Sequence, residues 1–283
     1  MEIVRHGSGG KALSRALLSQ VHPVFMLPPI AASAFGAVLA GDFTLLVALV
    51  HACAIFFALY TAHVKDGYVD FHLRSEDDDH PLTEPGCRLA LAGASAIFFC
   101  CLAALWWLVG VEAAVLTLPA WLIAYGHAPQ LDMNPLTATT GYPLGIAISL
   151  LGGYYVQASR LAAVPLAFAA VFVLLLSGIK VIDDAKDYEY DRSIEKRTVA
   201  VSLGRERARL TAYTLMVGGL VVVLVLAALS VFPRSAVFAA LAFAVVALIA
   251  RRADSELATM LLIRGSYVFL ALLVVAVWYQ PFE

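Results

Sequence analysis

Three aspartates in the segment 180–204 follow one another at intervals of four residues: Asp183, Asp187 and Asp191. On an α-helix this spacing places three carboxylates along one face, one on each turn. Like charges at that separation repel one another, so the arrangement favours a cation held between them. Mg²⁺ prefers oxygen ligands and bridges carboxylates to phosphate oxygens. The alternative interpretation is a charged loop that only solvates the helix ends.

A second acidic pair lies much earlier in the chain. Asp66 and Asp70 have the same spacing at the end of the second long apolar segment. The acidic run 76–79 follows, either as a solvated loop or as a source of further metal or lid contacts. His72 and His80 in the same loop are either metal ligands or ordinary polar loop residues. The sequence therefore predicts two acidic helix ends.

The composition places these acids in an integral membrane protein. The 283 residues are 61% hydrophobic and 14% charged, with a mean hydropathy of +0.84. A soluble domain has about 25% charged residues. The formal net charge of −2 predicts no nucleic-acid partner. The 4 cysteines have no CxxC spacing and are interpreted as small packing residues.

Apolar segments predict an all-α fold with nine transmembrane helices, because a spanning helix needs about 20 apolar residues. The candidate segments are 22–41, 43–64, 88–109, 112–127, 141–158, 161–181, 209–230, 235–250 and 259–279. An acidic site follows the second and the sixth segment, which predicts two four-helix halves plus one helix. We expect a single membrane domain over 1–283, with an amphipathic lead-in at 1–20 and cap loops at 65–87 and 183–208.

The Lys and Arg residues predict the orientation. With a cytoplasmic N-terminus, all of the 19 Lys and Arg residues except Arg160 and Arg234 fall on the cytoplasmic side. Positively charged loops favour that side of a membrane. We therefore expect the N-terminus and the acidic face in the cytoplasm, and the C-terminus on the opposite side of the cell membrane.

Glycines and tyrosines are concentrated in the fifth candidate helix. Small residues allow close helix packing or leave room for a substrate tail. Tyr142, Tyr154 and Tyr155 are interpreted as an interfacial aromatic belt or as the lining of a pocket in which a cation develops.

Two acidic helix ends with basic residues beside them suit a magnesium diphosphate. The basic candidates for binding the diphosphate are Lys186, Arg192, Lys196 and Arg197. Metal ions and basic groups neutralise the charge that develops on a leaving group, and the apolar segments suit a long isoprenoid tail. Ionisation of an allylic diphosphate, followed by capture of the carbocation by an acceptor, uses both features.

The motifs resemble those of the UbiA superfamily of intramembrane prenyltransferases over essentially the whole chain. Asp183, Asp187 and Asp191 match the DxxxDxxxD pattern of that family. The segment 196–204 matches its basic, Thr-containing stretch that ends in Leu-Gly.

The first motif departs from the NxxxDxxxD pattern of the family. Asp66 replaces the Asn, Gly67 replaces a neighbouring acid, Asp70 is retained, and Arg74 stands in place of the third acid. His80 replaces the Arg of a following Arg-Pro-Leu segment.

The resemblance implies a Mg²⁺-dependent transfer of a prenyl group from a polyprenyl diphosphate to a lipophilic acceptor within the lipid bilayer. It implies metal-linked diphosphate ligands at Asp66, Asp70, Asp183 and Asp187. Asp191 would orient the acceptor or assist a second ion, which completes the expected catalytic acids, and Arg74 joins the diphosphate-binding candidates.

Several acceptors fit the sequence. Asp70-Phe71 and the GYPLG segment resemble the branch that prenylates dihydroxynaphthoate. Other branches use hydroxybenzoate, glyceryl phosphate ethers, haem, chlorophyllide or carotenoid ends. An aromatic acceptor with a carboxylate needs a basic residue near the pocket mouth, for which Arg74 and Arg88 are candidates.

Two other functions use the same features. A UbiA-type terpene cyclase shares the ionisation step but captures the cation intramolecularly. A cation transporter would bind its ion with the same carboxylates, but carriers usually place their charges near the bilayer midplane, whereas these acids lie at helix ends.

Overall fold

The computed structural model describes residues 2–280, and its regular elements are helices. Its α-helices are α1 (Gly9–Leu18), α2 (Pro23–Leu39), α3 (Leu45–Tyr68), α4 (Glu84–Leu108), α5 (Val111–Gly126), α6 (Pro135–Ala158), α7 (Ala163–Lys186), α8 (Tyr188–Ser193), α9 (Val199–Leu203), α10 (Arg205–Ala228), α11 (Ala236–Ala250) and α12 (Ser255–Tyr279). A π-helical turn extends α3 over Val69–Leu73, and another extends α5 over His127–Leu131.

Each of the nine predicted segments contains a helix, but nine membrane crossings are not confirmed. Within the described residues, 6 helices are long and apolar enough to cross a membrane, or 7 if α1 and α2, bent by 66°, form one span. The 15 residues of α11 reach only about 22 Å, less than a hydrocarbon core of roughly 30 Å. Glycine, threonine and tyrosine lower the hydropathy of α6. The count of nine stays a prediction.

The outer surface of the bundle is apolar, which identifies lipid as its solvent. Large hydrophobic side chains face outward from most of the long helices, and Trp107 is 86% exposed. A contiguous apolar surface of this extent is not tolerated in water. The chain is therefore an integral membrane protein. Its C-terminal residues 281–283 lie outside the described part.

Glycines set the closest helix contacts. α2 packs along α6, where a Cβ added to Gly36 would overlap the carbonyl oxygen of Leu150, and one added to Gly153 would overlap the carbonyl oxygen of Ser33. Small residues allow backbones to approach in this way within membranes. α7 packs against α6, α10 and α12, and α12 also contacts α2.

The N-terminal segment covers the loop between α3 and α4. Val4 pairs with Leu82 in one antiparallel backbone bridge. The Arg5 guanidinium lies 4.3 Å from the ring centroid of Phe71 and 3.0 Å from Oδ1 of Asp79. The N-terminus thereby holds the loop against the end of the first acidic motif.

The segment after α8 is shaped by a cap and a glycine. The Thr198 hydroxyl accepts a hydrogen bond from the backbone N–H of Val201 at 3.3 Å and begins α9. Gly204 then joins α9 to α10 at φ +81°, a backbone conformation that favours glycine. These two residues explain the Thr and Leu-Gly positions of the sequence motif.

Candidate functional site

The first acidic motif lies where α3 changes from α-helical to π-helical geometry. Asp66 is in the last turn of α3, and Asp70 is in the π-helical turn Val69–Leu73. The backbone N–H of Arg74 donates to the carbonyl oxygen of Val69 at 2.9 Å. π-helical turns occur often at functional sites. Asp66 and Asp70 both line a polar cavity of about 360 Å³.

Arg74 lies among the carboxylates of this first cluster. Its Nη1 is 2.8 Å from Oδ2 of Asp132, 3.6 Å from Oδ1 of Asp70 and 3.9 Å from Oε2 of Glu76. The hydrogen bond to Asp132 and the nearby carboxylates raise the pKa of the Arg74 guanidinium. The side chain is 16% exposed, so a permanent cation is built into the position where the family pattern has an acid.

The second motif does not lie on one continuous helix, which corrects the prediction of three carboxylates along one face. α7 ends at Lys186, Asp187 adopts φ −94° and ψ 18°, and α8 begins afterwards. This break separates the residues: Asp187 and Asp191 line the polar cavity, whereas Asp183 lines a second, larger cavity. Beyond the break at Asp187, Asp191 lines the same cavity as Asp66 and Asp70.

Asp184 and Lys180 are site residues that the sequence analysis did not assign. Lys180 forms ion pairs with Asp184 and, at 3.5 Å, with Asp183. The Asp184 side chain is 5% exposed, and both Lys180 and Asp184 line the polar cavity. The sequence does contain a sign of this pair. Lys180 lies within an apolar run, three residues before one acid and four before another, and a charged residue in such a run often marks a functional site.

The polar cavity has a large excess of negative charge. It is lined by eight carboxylates and three basic side chains, which leaves a formal excess of five negative charges. The acids are Asp66, Asp70, Glu76, Asp77, Asp132, Asp184, Asp187 and Asp191, and the bases are Arg74, Lys180 and Lys196. An anionic ligand can enter such a cavity only together with cations.

Two residues that line this cavity have a buried carboxylate oxygen without a partner. Oδ1 of Asp132 and Oδ2 of Asp184 have no hydrogen-bond partner among the described residues. Burial raises the pKa of Asp191, although Lys196 lies 3.7 Å away and opposes the shift. An all-oxygen ligand set with unsatisfied oxygens fits a hard divalent cation such as Mg²⁺.

A larger cavity of about 630 Å³ opens next to the polar one. Its walls come from α2, α3, α5 and α6, with apolar residues such as Ile55, Leu59 and Ile123. The two cavities share five lining residues, namely Asp66, Asp70, Asp77, His127 and Lys180. The polar cavity and a larger, partly apolar cavity therefore meet at the two acidic motifs.

The remaining predicted residues fall into different places. Lys196 lines the polar cavity, and Lys186 pairs with Asp183 at 3.6 Å and with Asp187 at 3.9 Å. In the described chain, Arg192 and Arg197 are exposed and line neither cavity.

The three tyrosines also separate. Tyr142 lines the larger cavity, and its hydroxyl donates to the carbonyl oxygen of Phe25 at 3.0 Å. Tyr154 is buried at the contact between α2 and α6, and Tyr155 packs against the buried cluster that contains Val47 and Leu105. Of the three, only Tyr142 is placed to contact a ligand in either cavity.

The site also includes acids from unexpected segments. Asp132 follows the π-helical turn after α5, and Glu76 and Asp77 come from the acidic loop run. The interpretation of 76–79 as a solvated loop therefore fits only part of the run. Among the described residues of that run, Asp78 lines neither cavity. Asp132 was recognisable only as the single acid of its connection.

No protein-family model and no curated protein matches the sequence. Solved structures of the same fold include a digeranylgeranylglyceryl phosphate synthase, which is 13% identical with a TM-score of 0.73 over 95% of this chain and 98% of that chain. A UbiA homologue from Archaeoglobus fulgidus bound to GPP and Mg²⁺ is 15% identical, with a TM-score of 0.68 over 95% of this chain and 99% of that chain. A UbiA homologue from Aeropyrum pernix K1, solved in apo form, is 16% identical, with a TM-score of 0.71 over 90% of this chain and 97% of that chain. The chain therefore has the UbiA fold.

Proposed function

We propose that the protein is a Mg²⁺-dependent intramembrane prenyltransferase, which ionises a polyprenyl diphosphate and transfers the prenyl group to a lipophilic acceptor. The meeting of the two cavities at Asp66 and Lys180 is the observation that supports this most directly. A prenyl diphosphate has one strongly anionic end and one apolar chain, which match the polar and the larger cavity. Proteins of the same fold have been solved with GPP or DMAPP and Mg²⁺.

The carboxylates of both motifs are the residues that would hold the metal. Asp66 and Asp70 would be ligands from α3 and its π-helical extension. Asp184, Asp187 and Asp191 would be ligands from α7, the break after it and α8. Asp183 remains at the junction, where it pairs with Lys180 and Lys186. These carboxylates would hold Mg²⁺, which would supply positive charge to offset the negative charge of the diphosphate as it leaves.

The basic and apolar residues have separate tasks. The Lys180 amine, fixed between two carboxylates, is directed at the junction of the cavities and would donate to the leaving diphosphate. Lys196 contributes a second donor from the segment after α8. The walls of the larger cavity keep water away from the carbocation, so that the acceptor captures it.

The acidic face lies on the cytoplasmic side in this proposal, because all Lys and Arg residues except Arg160 and Arg234 would then lie there. The acceptor reaches the larger cavity from the lipid bilayer. The proposed membrane domain has a lead-in segment at 1–20 and two cap loops, at 65–87 and 183–208.

The test is diphosphate release by purified protein in lipid nanodiscs supplied with geranylgeranyl diphosphate and a panel of acceptors. We expect release with Mg²⁺ and none after chelation with EDTA. Asp70→Ala and Asp187→Ala should each reduce the rate by about 100-fold or more, whereas Asp42→Ala, at an exposed position outside both cavities, should leave it unchanged.

Two results would contradict the proposal. Full activity in both Asp70→Ala and Asp187→Ala would remove the metal assignment. Mg²⁺-dependent release without any acceptor, with a cyclised product, would identify a terpene cyclase instead of a transferase.

A further inference from the structure

Histidines are concentrated in the larger cavity. The chain has 7 histidines, and four of them line this one cavity: His22, His63, His80 and His127. His22 precedes α2, His63 lies one turn before Asp66 on α3, and His127 begins the π-helical turn after α5. The metal and diphosphate chemistry proposed above uses none of these four side chains.

The histidine side chains form a wall beside the acidic junction. The ring centroids of His22 and His63 are 4.7 Å apart, and Phe25 lies 6.3 Å from His63 and 6.5 Å from Tyr142. His127 lines both cavities. The wall therefore lies next to the place where the allylic carbon must sit when the diphosphate occupies the polar cavity.

The rings of His22, His63 and His127 are available to a ligand, whereas Nδ1 of His80 already contacts the backbone of Leu82 at 3.2 Å. Among the described residues, no protein hydrogen bond is made by the rings of His22, His63 or His127, and Nε2 of His80 is buried without a partner. Neutral imidazole both donates and accepts a hydrogen bond. A hydroxyl group, which also does both, is the complementary ligand.

The described charged residues of the larger cavity offer no unpaired cation to an anionic acceptor. Five carboxylates line the larger cavity, and Lys180, the only Lys or Arg among its described lining residues, is already paired with Asp183 and Asp184. Arg88 is 70% exposed and pairs with Glu84 at 2.5 Å, outside the cavity. Like charges placed together disfavour recognition.

We propose that His22, His63 and His127 bind an uncharged, hydroxyl-bearing acceptor and that His63 receives the proton which the acceptor loses. This deepens the proposed prenyl transfer and rests on it. The bond from the allylic carbon to oxygen breaks, and its electron pair leaves with the diphosphate. An electron pair on the acceptor forms the new bond to that carbon, and the released proton moves to a ring nitrogen of His63.

Matched acceptors test the charge preference. Wild-type protein in nanodiscs receives geranylgeranyl diphosphate and Mg²⁺ with dihydroxynaphthalene or its carboxylate dihydroxynaphthoate, and with geranylgeranylglycerol or its phosphate. We expect the uncharged member of at least one pair to be prenylated at least about tenfold faster. A faster reaction of the anionic member in both pairs would overturn the inference.

Histidine variants test the wall itself. His63→Gln and, as a second variant, His22→Gln should reduce transfer to the uncharged acceptor by about 100-fold and tenfold respectively. Asp42→Asn, at an exposed position outside both cavities, should retain the wild-type rate. Unchanged affinity for a thiolodiphosphate substrate analogue verifies that each variant is folded, and unchanged transfer in both variants would overturn the inference.

Equilibrium binding of dihydroxynaphthalene and dihydroxynaphthoate separates this inference from the proposed function. If the wild type releases no diphosphate but binds the uncharged compound in a manner that His63→Gln weakens, the transferase proposal fails and the acceptor site is supported. If diphosphate is released and neither compound distinguishes wild type from His63→Gln, the acceptor site fails alone.

Discussion

Arg74 gives the first motif an electrostatic character unlike that of the second. Its guanidinium joins Asp70, Glu76 and Asp132, which come from three separate positions of the chain. Because these carboxylates face a cavity that already has excess negative charge, the arginine stabilises the metal-free protein. Arg74 therefore holds these parts of the chain together in addition to balancing their charge.

Arg74→Ala should destabilise the metal-free protein by about 1.5–3 kcal/mol, the usual cost of removing a hydrogen bond to a charged group. The measurement is the Tm of detergent-solubilised protein in EDTA. Addition of Mg²⁺ should recover part of the loss, because the ion replaces the missing positive charge. Arg88→Ala, in an exposed pair that solvent screens, should lower the Tm far less. Equal Tm losses in the two variants would contradict this role.

The sequence predicted the acids whose spacing is local. Asp66, Asp70, Asp187 and Asp191 were all found from intervals of four residues, and all line the polar cavity. Asp132 was missed as a site residue because its neighbours in space come from distant parts of the chain. The exposure of Arg192 and Arg197 could not be predicted either, because the position of a basic residue within a motif does not show which way its side chain points.

At the scale of elements, the helices were predictable but their breaks were not. The apolar segments predicted a helix at each of nine places, and the structure has a helix at each of them. This succeeds because the helices that enter a membrane must be apolar. The end of α7 at Lys186 was not predicted, because intervals of four residues suggest an uninterrupted helix. The π-helical extension of α3 was not predicted either, since it leaves no mark in hydrophobic periodicity.

Gly153→Ala should destabilise the bundle by about 1–3 kcal/mol, because the added methyl group would overlap the Ser33 carbonyl oxygen where α2 packs on α6. Thermal unfolding in detergent measures the change. Gly218→Ala on α10 is the matched control, since no heavy atom lies within 4 Å of the added Cβ. That control should be neutral or stabilising by up to about 1 kcal/mol. Equal unfolding temperatures for the two variants would refute the close-packing explanation.

At the scale of the whole molecule, two clusters from separate parts of the chain act on one cavity. α3 brings the first cluster and α7 with α8 brings the second, while α2, α5 and α6 complete the larger cavity. The two clusters cannot neutralise a diphosphate by themselves, because the polar cavity is itself anionic. The central claim is therefore that divalent ions join both clusters to one diphosphate.

The most direct test is the affinity of purified protein in nanodiscs for a geranylgeranyl thiolodiphosphate, which binds without ionising. We predict tight binding with Mg²⁺, little binding in EDTA, and a loss of at least about tenfold in each of Asp70→Asn and Asp187→Asn. Asp42→Asn should bind like the wild type. Equal binding with and without Mg²⁺, or a loss in only one of the two cluster variants, would contradict the claim that both clusters share one metal-bound diphosphate.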